Sequence, residues 1–257
     1  MSLLDRIRKT VFEMAEAPPG VTRYRRPLVG AAAADDPRFE DLKRLVGPDH
    51  MLPEELLPGA TSVVAFFLPF TAELVRANAR DPRAVAREWA VAYVETNTLI
   101  AAINDRIIGE LTAGGFRAAA APPTGVFDRA TLKSTWSHKS AAAIAGLGSF
   151  GVHHMLITDA GCAGRLGSLV TDAQLEVTTE PPRERCLYHA NGSCLVCVKR
   201  CPEGALSVDT RFDRARCWAR CQKAAEGFRD IGLAEVCGKC ATGPCALRAA
   251  TGDRRHA

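Results

Sequence analysis

The chain has 257 residues, is 47% hydrophobic and 24% charged, and carries a formal net charge of +4. That size and composition admit one large domain or two modest ones around a hydrophobic core, and they exclude a disordered or low-complexity chain. The longest strongly apolar run, SVVAFFLPF at 62–70, is far too short to span a bilayer, so no membrane association is expected.

The first stretch, MSLLDRIRKTVFEMAEAPPG, reads as an amphipathic helix with acidic and basic residues throughout. It lacks the apolar core and cleavage site of a signal peptide, which predicts a soluble, cytoplasmic protein. GVTRYRRPLVGAAAADDPRF, punctuated by Pro and Asp, reads as irregular structure, and EDLKRLVG as a short helix. SVVAFFLPF is a buried strand, rich in Val and Phe and bounded by Gly59 and Pro69. Residues 83–113 carry a long helical pattern that Gly114 and Gly115 close. FRAAAAPP is a second strand, HKSAAAIAGLG a small-residue helix running into a glycine turn, and HHMLIT and GSLVTD two further short strands. Strands alternating with helices predict an α/β body over residues 1–180. EVTTEPPRER reads as a linker, and residues 181–257 form a second, cysteine-dense unit.

Nine of the ten cysteines lie between Cys186 and Cys245, and Cys162 alone stands apart. In a reducing compartment such clustering points to metal rather than to disulfides. CLYHANGSCLVCVKRCP and VCGKCATGPC flank DRARCWARC and form a weak internal repeat. Bacterial-type ferredoxins use closely spaced cysteines whose last member, followed by Pro, ligates the other cluster of a pair. Cys194, Cys197 and Cys201-Pro202 keep that logic, with Cys186 further upstream. Exchanging the last cysteine of each group gives two sets. One is Cys186, Cys194, Cys197 and Cys245; the other is Cys201, Cys217, Cys237 and Cys240. Each set suits a 4Fe–4S cluster. Structural zinc is the alternative for CxxC pairs, and the Cys-Pro ending favours clusters. Cys221 is the surplus thiol, able to replace Cys217 on the same helical face, and Cys162 reads as inert. Residues 181–257 hold 14 Lys+Arg against 8 Asp+Glu. Ligated clusters carry roughly two negative charges each, which offsets much of that surplus and removes the case for nucleic-acid binding by charge alone.

A two-cluster unit only relays electrons, so the body must supply an acceptor or substrate. STWSHKSAAAIAGLGSFGVHHMLITDAGCAGRLGSLVTD, residues 134–172, is its most unusual passage. Gly146, Gly148 and Gly151, then Gly161, Gly164 and Gly167, mark sharp turns or close backbone approach to a ligand, tight packing being the equal alternative. His138 has the ordinary pKa of an acid or base near neutrality, with a hydrogen-bonded structural role as its alternative. Lys139 could contact an anionic group, and at most one of His153 and His154 would face a pocket if they lie in a strand. Trp89, Tyr93 and Trp136 read as core or pocket wall, and Asn97 as solvent-facing or capping.

AGLGSFG, the LIT and LGSLVTD strands and the cysteine array together resemble the epoxyqueuosine reductases and their relatives the reductive dehalogenases, over about residues 55–245. The resemblance implies a nitroreductase-like α/β body that holds cobalamin, joined to a ferredoxin-like domain with two 4Fe–4S clusters. It implies electron flow from an external donor such as ferredoxin or flavodoxin, through the clusters to cobalt, and reduction of a small-molecule or tRNA-linked substrate. It favours Cys217 over Cys221 as the ligand, and it makes Lys139, Gly148, Gly151 and His153 candidate cofactor contacts. The family's proton-donating Asp precedes the helix leading into AGLG; the nearest acid here, Asp128, stands at a different distance, which leaves His138 as a second candidate acid. The tRNA-modifying members continue into helical repeats, whereas this sequence stops at Ala257, as expected of a short, divergent member with a different substrate. Two rival readings are an electron-transfer protein whose body is a docking or regulatory domain without cobalamin, and a flavin-dependent reductase.

Overall fold

The structure is a computed structural model, and it describes residues 1–123, 127–178 and 183–249. Its helices are α1 (Leu3–Glu16), α2 (Arg38–Leu45), α3 (Pro53–Leu56), α4 (Ala72–Arg80), α5 (Arg87–Ala113), α6 (His138–Ile144), α7 (Leu187–Asn191), α8 (Val196–Lys199) and α9 (Arg214–Glu226). Its strands are β1 (Leu28–Ala33), β2 (Ser62–Pro69), β3 (Ala118–Ala120), β4 (Phe127–Asp128), β5 (Lys133–Ser134), β6 (Gly148–Phe150), β7 (Leu156–Thr158) and β8 (Gly164–Thr171). No helix among the described residues is long and apolar enough to cross a membrane. The domain boundary predicted at 180/181 falls within 179–182, outside the described residues.

The central sheet has the order β1-β2-β8-β3, and every neighbouring pair in it is antiparallel. β2 holds the middle, and all eight of its residues are buried. That is why its sequence is an unbroken apolar run rather than an alternation. Because side chains alternate across a strand, β2 feeds two cores. Val64, Phe66 and Leu68 meet Leu4, Ile7 and Val11 of α1 and Leu99, Ile103 and Ile107 of α5. Val63 and Ala65 meet Phe39 and Leu42 of α2 and Trp136, Ala141 and Ala142 at α6. The body is therefore a sheet between two helical layers.

Local signals set most of the boundaries. Ser2 and Asp5 close a reciprocal capping box at the start of α1. Gly114 caps α5, whose 27 residues reach about 40 Å. Ser137 caps α6 by accepting from the Ser140 amide at 3.2 Å. Within the stretch expected to be irregular, β1 forms instead. Its Leu28 to Ala33 pair with Phe67 to Ser62 of β2, so tertiary pairing supplies what an alanine-rich sequence with few β-branched residues does not.

Two polar ties dock the cysteine-rich segment on the body. The Arg25 guanidinium donates to Phe70 O at 2.7 Å, to Leu247 O at 2.8 Å and to Ala160 O. Lys239, 3% exposed, inserts its ammonium among Asn78 O, Asn78 Oδ1 (3.1 Å), Asp81 O (2.8 Å) and Ala84 O (2.6 Å). Asn78 Nδ2 in turn donates to Cys237 O at 3.0 Å.

Candidate functional site

The predicted ligands converge from separated elements. Cys186 precedes α7, Cys194 and Cys197 lie before and within α8, Cys217 sits on α9, and Cys237 and Cys240 bracket Lys239. Burial, followed by the nearby Cys245, Cys186 and Cys194, pushes the Cys197 thiol up to about 11. Burial, followed chiefly by Cys217, Cys237 and Cys201, pushes Cys240 up strongly. Thiols that make one another costly to ionise are close neighbours, and a cationic iron core would reverse that cost. Cys197 has its cysteine neighbours in the first foursome read from the sequence, and Cys240 neighbours Cys217, Cys237 and Cys201 of the second together with Cys197 of the first. The donor chemistry, soft sulfur throughout, fits two clusters.

Cys221 lies one helical turn from Cys217 on α9 and hydrogen-bonds to it; that contact draws Cys217 down to about 7 and holds Cys221 up as a thiol. Cys162 does not stand apart in space. Its amide donates to Cys245 O at 2.9 Å and its Sγ is 3.8 Å from Cys245 Sγ. The Cys162 contact first, and then His153, pull Cys245 down to about 5. Gly161 makes this approach possible: its φ is +86°, and a Cβ there would lie 2.2 Å from Ala246 O. The flanking Gly161 and Gly164 are the one sequence signal that could have drawn attention to Cys162.

A cavity of about 860 Å³ opens between the body and the cysteine-rich segment. Its walls include Trp89, Tyr93, Trp136, Phe150 and Phe212, and Cys201, Cys217, Cys221, Cys237 and Cys240 face it from one side. Cys186, Cys194, Cys197 and Cys245 are not among its lining, so the second foursome is the cavity-side set. Arg165 of β8 lies over the Tyr93 ring at 4.1 Å, and its buried Nε has no hydrogen-bond partner among the described residues. Burial lowers its pKa. A buried donor without a partner is costly and suits an acceptor supplied by a ligand.

The candidate catalytic and cofactor residues are placed as follows. His138 is 8% exposed at the cavity wall; its Nδ1 is 2.7 Å from Ser168 Oγ and its Nε2 is 3.0 Å from Pro122 O. Trp136 Nε1 donates to the same Ser168 Oγ at 2.9 Å. Pro122 O can only accept, so Nε2 carries the proton and Nδ1 accepts from the serine. Burial, the main cause, brings the His138 pKa down to about 4, so the ring is neutral at pH 7. Asp128 is exposed, outside the cavity lining, and accepts from Thr131 N (2.6 Å), Ala130 N (2.9 Å) and Thr131 Oγ1 (2.9 Å), bonds that hold its carboxyl below the usual range. Lys139 lines the cavity and donates to His154 O at 2.8 Å. Burial lowers its pKa, while Cys217 and Cys240 act to raise it, which puts its charge beside the cavity-side sulfurs. Gly148 and Gly151 are close-packing positions of the β6–β7 hairpin: a Cβ would lie 2.3 Å from Ile157 O at the first and 2.8 Å from Ile157 Cδ1 at the second. His153 and His154 lie in a turn before β7 rather than in a strand, so both line the cavity instead of at most one, His153 meeting Cys245 and His154 stacking on Phe212 at 4.8 Å.

The His138 geometry has a pH consequence. Its folded pKa lies below the unfolded value, so the stability it supports is present above about pH 6.5 and is lost as pH falls towards 4, by about 3 kcal/mol. Urea titrations of wild type and His138→Gln across that range are expected to show the gap between them closing as the pH falls.

No family model matches this chain. Over 80 residues, 31% of the chain, it is 38% identical to the epoxyqueuosine reductase of Yersinia pestis, 18% of which is covered. Among solved structures it resembles a selenomethionine-labelled epoxyqueuosine reductase with 20% identity and a TM-score of 0.60. It also resembles an epoxyqueuosine reductase in complex with an epoxyqueuosine-modified tRNA-Tyr stem loop, with 20% identity and a TM-score of 0.59. Both matches cover 95% of this chain and 66% of the other, so the chain spans about two thirds of the length of these solved relatives. The mixed α/β fold is that of the epoxyqueuosine reductases.

Proposed function

We propose that the chain is an iron–sulfur reductase in which two 4Fe–4S clusters deliver single electrons to an acceptor in the cavity of about 860 Å³. The observation that carries this reading is that Cys201, Cys217, Cys237 and Cys240 line that cavity, while Cys197 has Cys186, Cys194 and Cys245 as neighbours. Cys201, Cys217, Cys237 and Cys240 would hold the cavity-side cluster, and Cys186, Cys194, Cys197 and Cys245 the outer one. Electrons would come from an external low-potential carrier such as a ferredoxin or flavodoxin. Lys139, beside Cys217 and Cys240, offsets negative charge at the cavity-side cluster.

Cobalamin is the cofactor proposed for the cavity. Bound there, it would supply low-valent cobalt as the reductant. Arg165 Nε can donate to an acceptor on its rim, and Trp89 and Tyr93 offer apolar wall. His138 acts in this scheme as a neutral positioning residue that fixes Ser168 and Trp136, rather than as the acid. A small-molecule or tRNA-linked substrate is in keeping with the stem loop bound by the relative.

Adding cobalamin to anaerobically purified protein is expected to shift its visible spectrum to the base-off form. Full iron with no shift would favour the electron-carrier reading. A yellow protein with a bound flavin would favour the flavin-dependent one.

A further inference from the structure

Two side chains outside the eight ligands point at one of them. His153, 4% exposed, accepts the Met155 amide on Nδ1 at 3.1 Å. An amide can only donate here, so the proton of the neutral ring sits on Nε2. That Nε2 lies 3.4 Å from Cys245 Sγ. From another side Cys162, 1% exposed, places its Sγ 3.8 Å from the same sulfur. Its position is fixed by two backbone rungs, Cys162 N to Cys245 O at 2.9 Å and Ala163 N to Ala246 O at 3.0 Å. The ligand atoms of His153, Cys162 and Cys245 all lie within 4.8 Å of one another.

We propose that His153 Nε2–H and Cys162 Sγ–H both donate to the Cys245 sulfur and thereby raise the reduction potential of the cluster that Cys245 ligates. The inference rests on the cluster reading above. When that cluster takes one electron from an external low-potential donor, negative charge on its sulfurs grows, and each donor then stabilises the reduced form more than the oxidised one. Hydrogen bonds to cluster sulfurs are among the factors that set such potentials. His153 and Cys162 thus act through Cys245, as positioning residues for charge, and neither is itself a ligand.

The test is an EPR-monitored potentiometric titration of the anaerobically purified full chain, with dithionite as reductant and iron measured in parallel. His153→Leu is expected to make reduction of one cluster about tenfold less favourable, ~59 mV for a one-electron couple, and to leave the other in place. Cys162→Ala is expected to shift the same cluster in the same direction. His153→Gln and Cys162→Ser, which keep a donor, are expected to recover most of the wild-type value. Full iron with unmoved potentials in both His153→Leu and Cys162→Ala would overturn this inference alone. Loss of half the iron in Cys162→Ala would also overturn it, by making Cys162 a ligand. Wild-type protein without iron would overturn the cluster reading and this inference with it.

Discussion

Replacing Lys239 by methionine is expected to destabilise the folded chain by about 3 kcal/mol or more, because buried acceptors would lose a charged donor at once. The ammonium bonds Asn78 O near the end of α4, and it also bonds Asn78 Oδ1, Asp81 O and Ala84 O in and after that turn. A cation there satisfies carbonyls that a helix end leaves unpaired and sits at the favourable pole of the helix dipole. Lys239 lies between Cys237 and Cys240, so the same contact fixes where two cavity-side sulfurs stand. Urea unfolding should show the lower midpoint, and metal analysis should show iron lost from the cavity-side set. Unchanged midpoint and unchanged iron would contradict this account of the docking.

The second large effect separates two cysteines on one helix. Cys217→Ser is expected to remove about half of the iron, and Cys221→Ser to leave about eight irons per chain in place. Both side chains face the cavity from α9, and they hydrogen-bond to each other. Cys217 neighbours Cys240, together with Cys237 and Cys201, and Cys221 neighbours Cys237 and Cys240 as well, so the two variants decide which of them completes the proposed cavity-side foursome. The contact with Cys217 holds Cys221 up as a thiol, and in the proposed assignment it supports the ligand rather than serving as one. Loss of iron in the Cys221 variant with retention in the Cys217 variant would exchange the two roles.

What could be read from the sequence was what local chemistry decides. β2 is legible because a strand buried on both faces must be apolar throughout, and α5 because its pattern runs unbroken to a glycine stop. β1 was not, since its alanines favour no strand and only pairing with β2 makes them one. The cysteine groups stand out in the sequence by their short spacing, and the fold brings the groups against one cavity. The partnership of Cys162 with Cys245 was not, since 83 positions separate them and no local pattern links them. The same holds for Lys239, whose acceptors lie about 160 positions away. Asp128 shows the reverse difficulty. Its place in the chain suggested an acid, and only the fold reveals an exposed carboxylate bound up in its own turn.

The most direct measurement of the central claim is the metal content and EPR spectrum of the full chain purified without oxygen. The account predicts about eight irons per chain and, after dithionite, the signals of two interacting reduced clusters. Stoichiometric zinc with little iron, and no such signals, would contradict it.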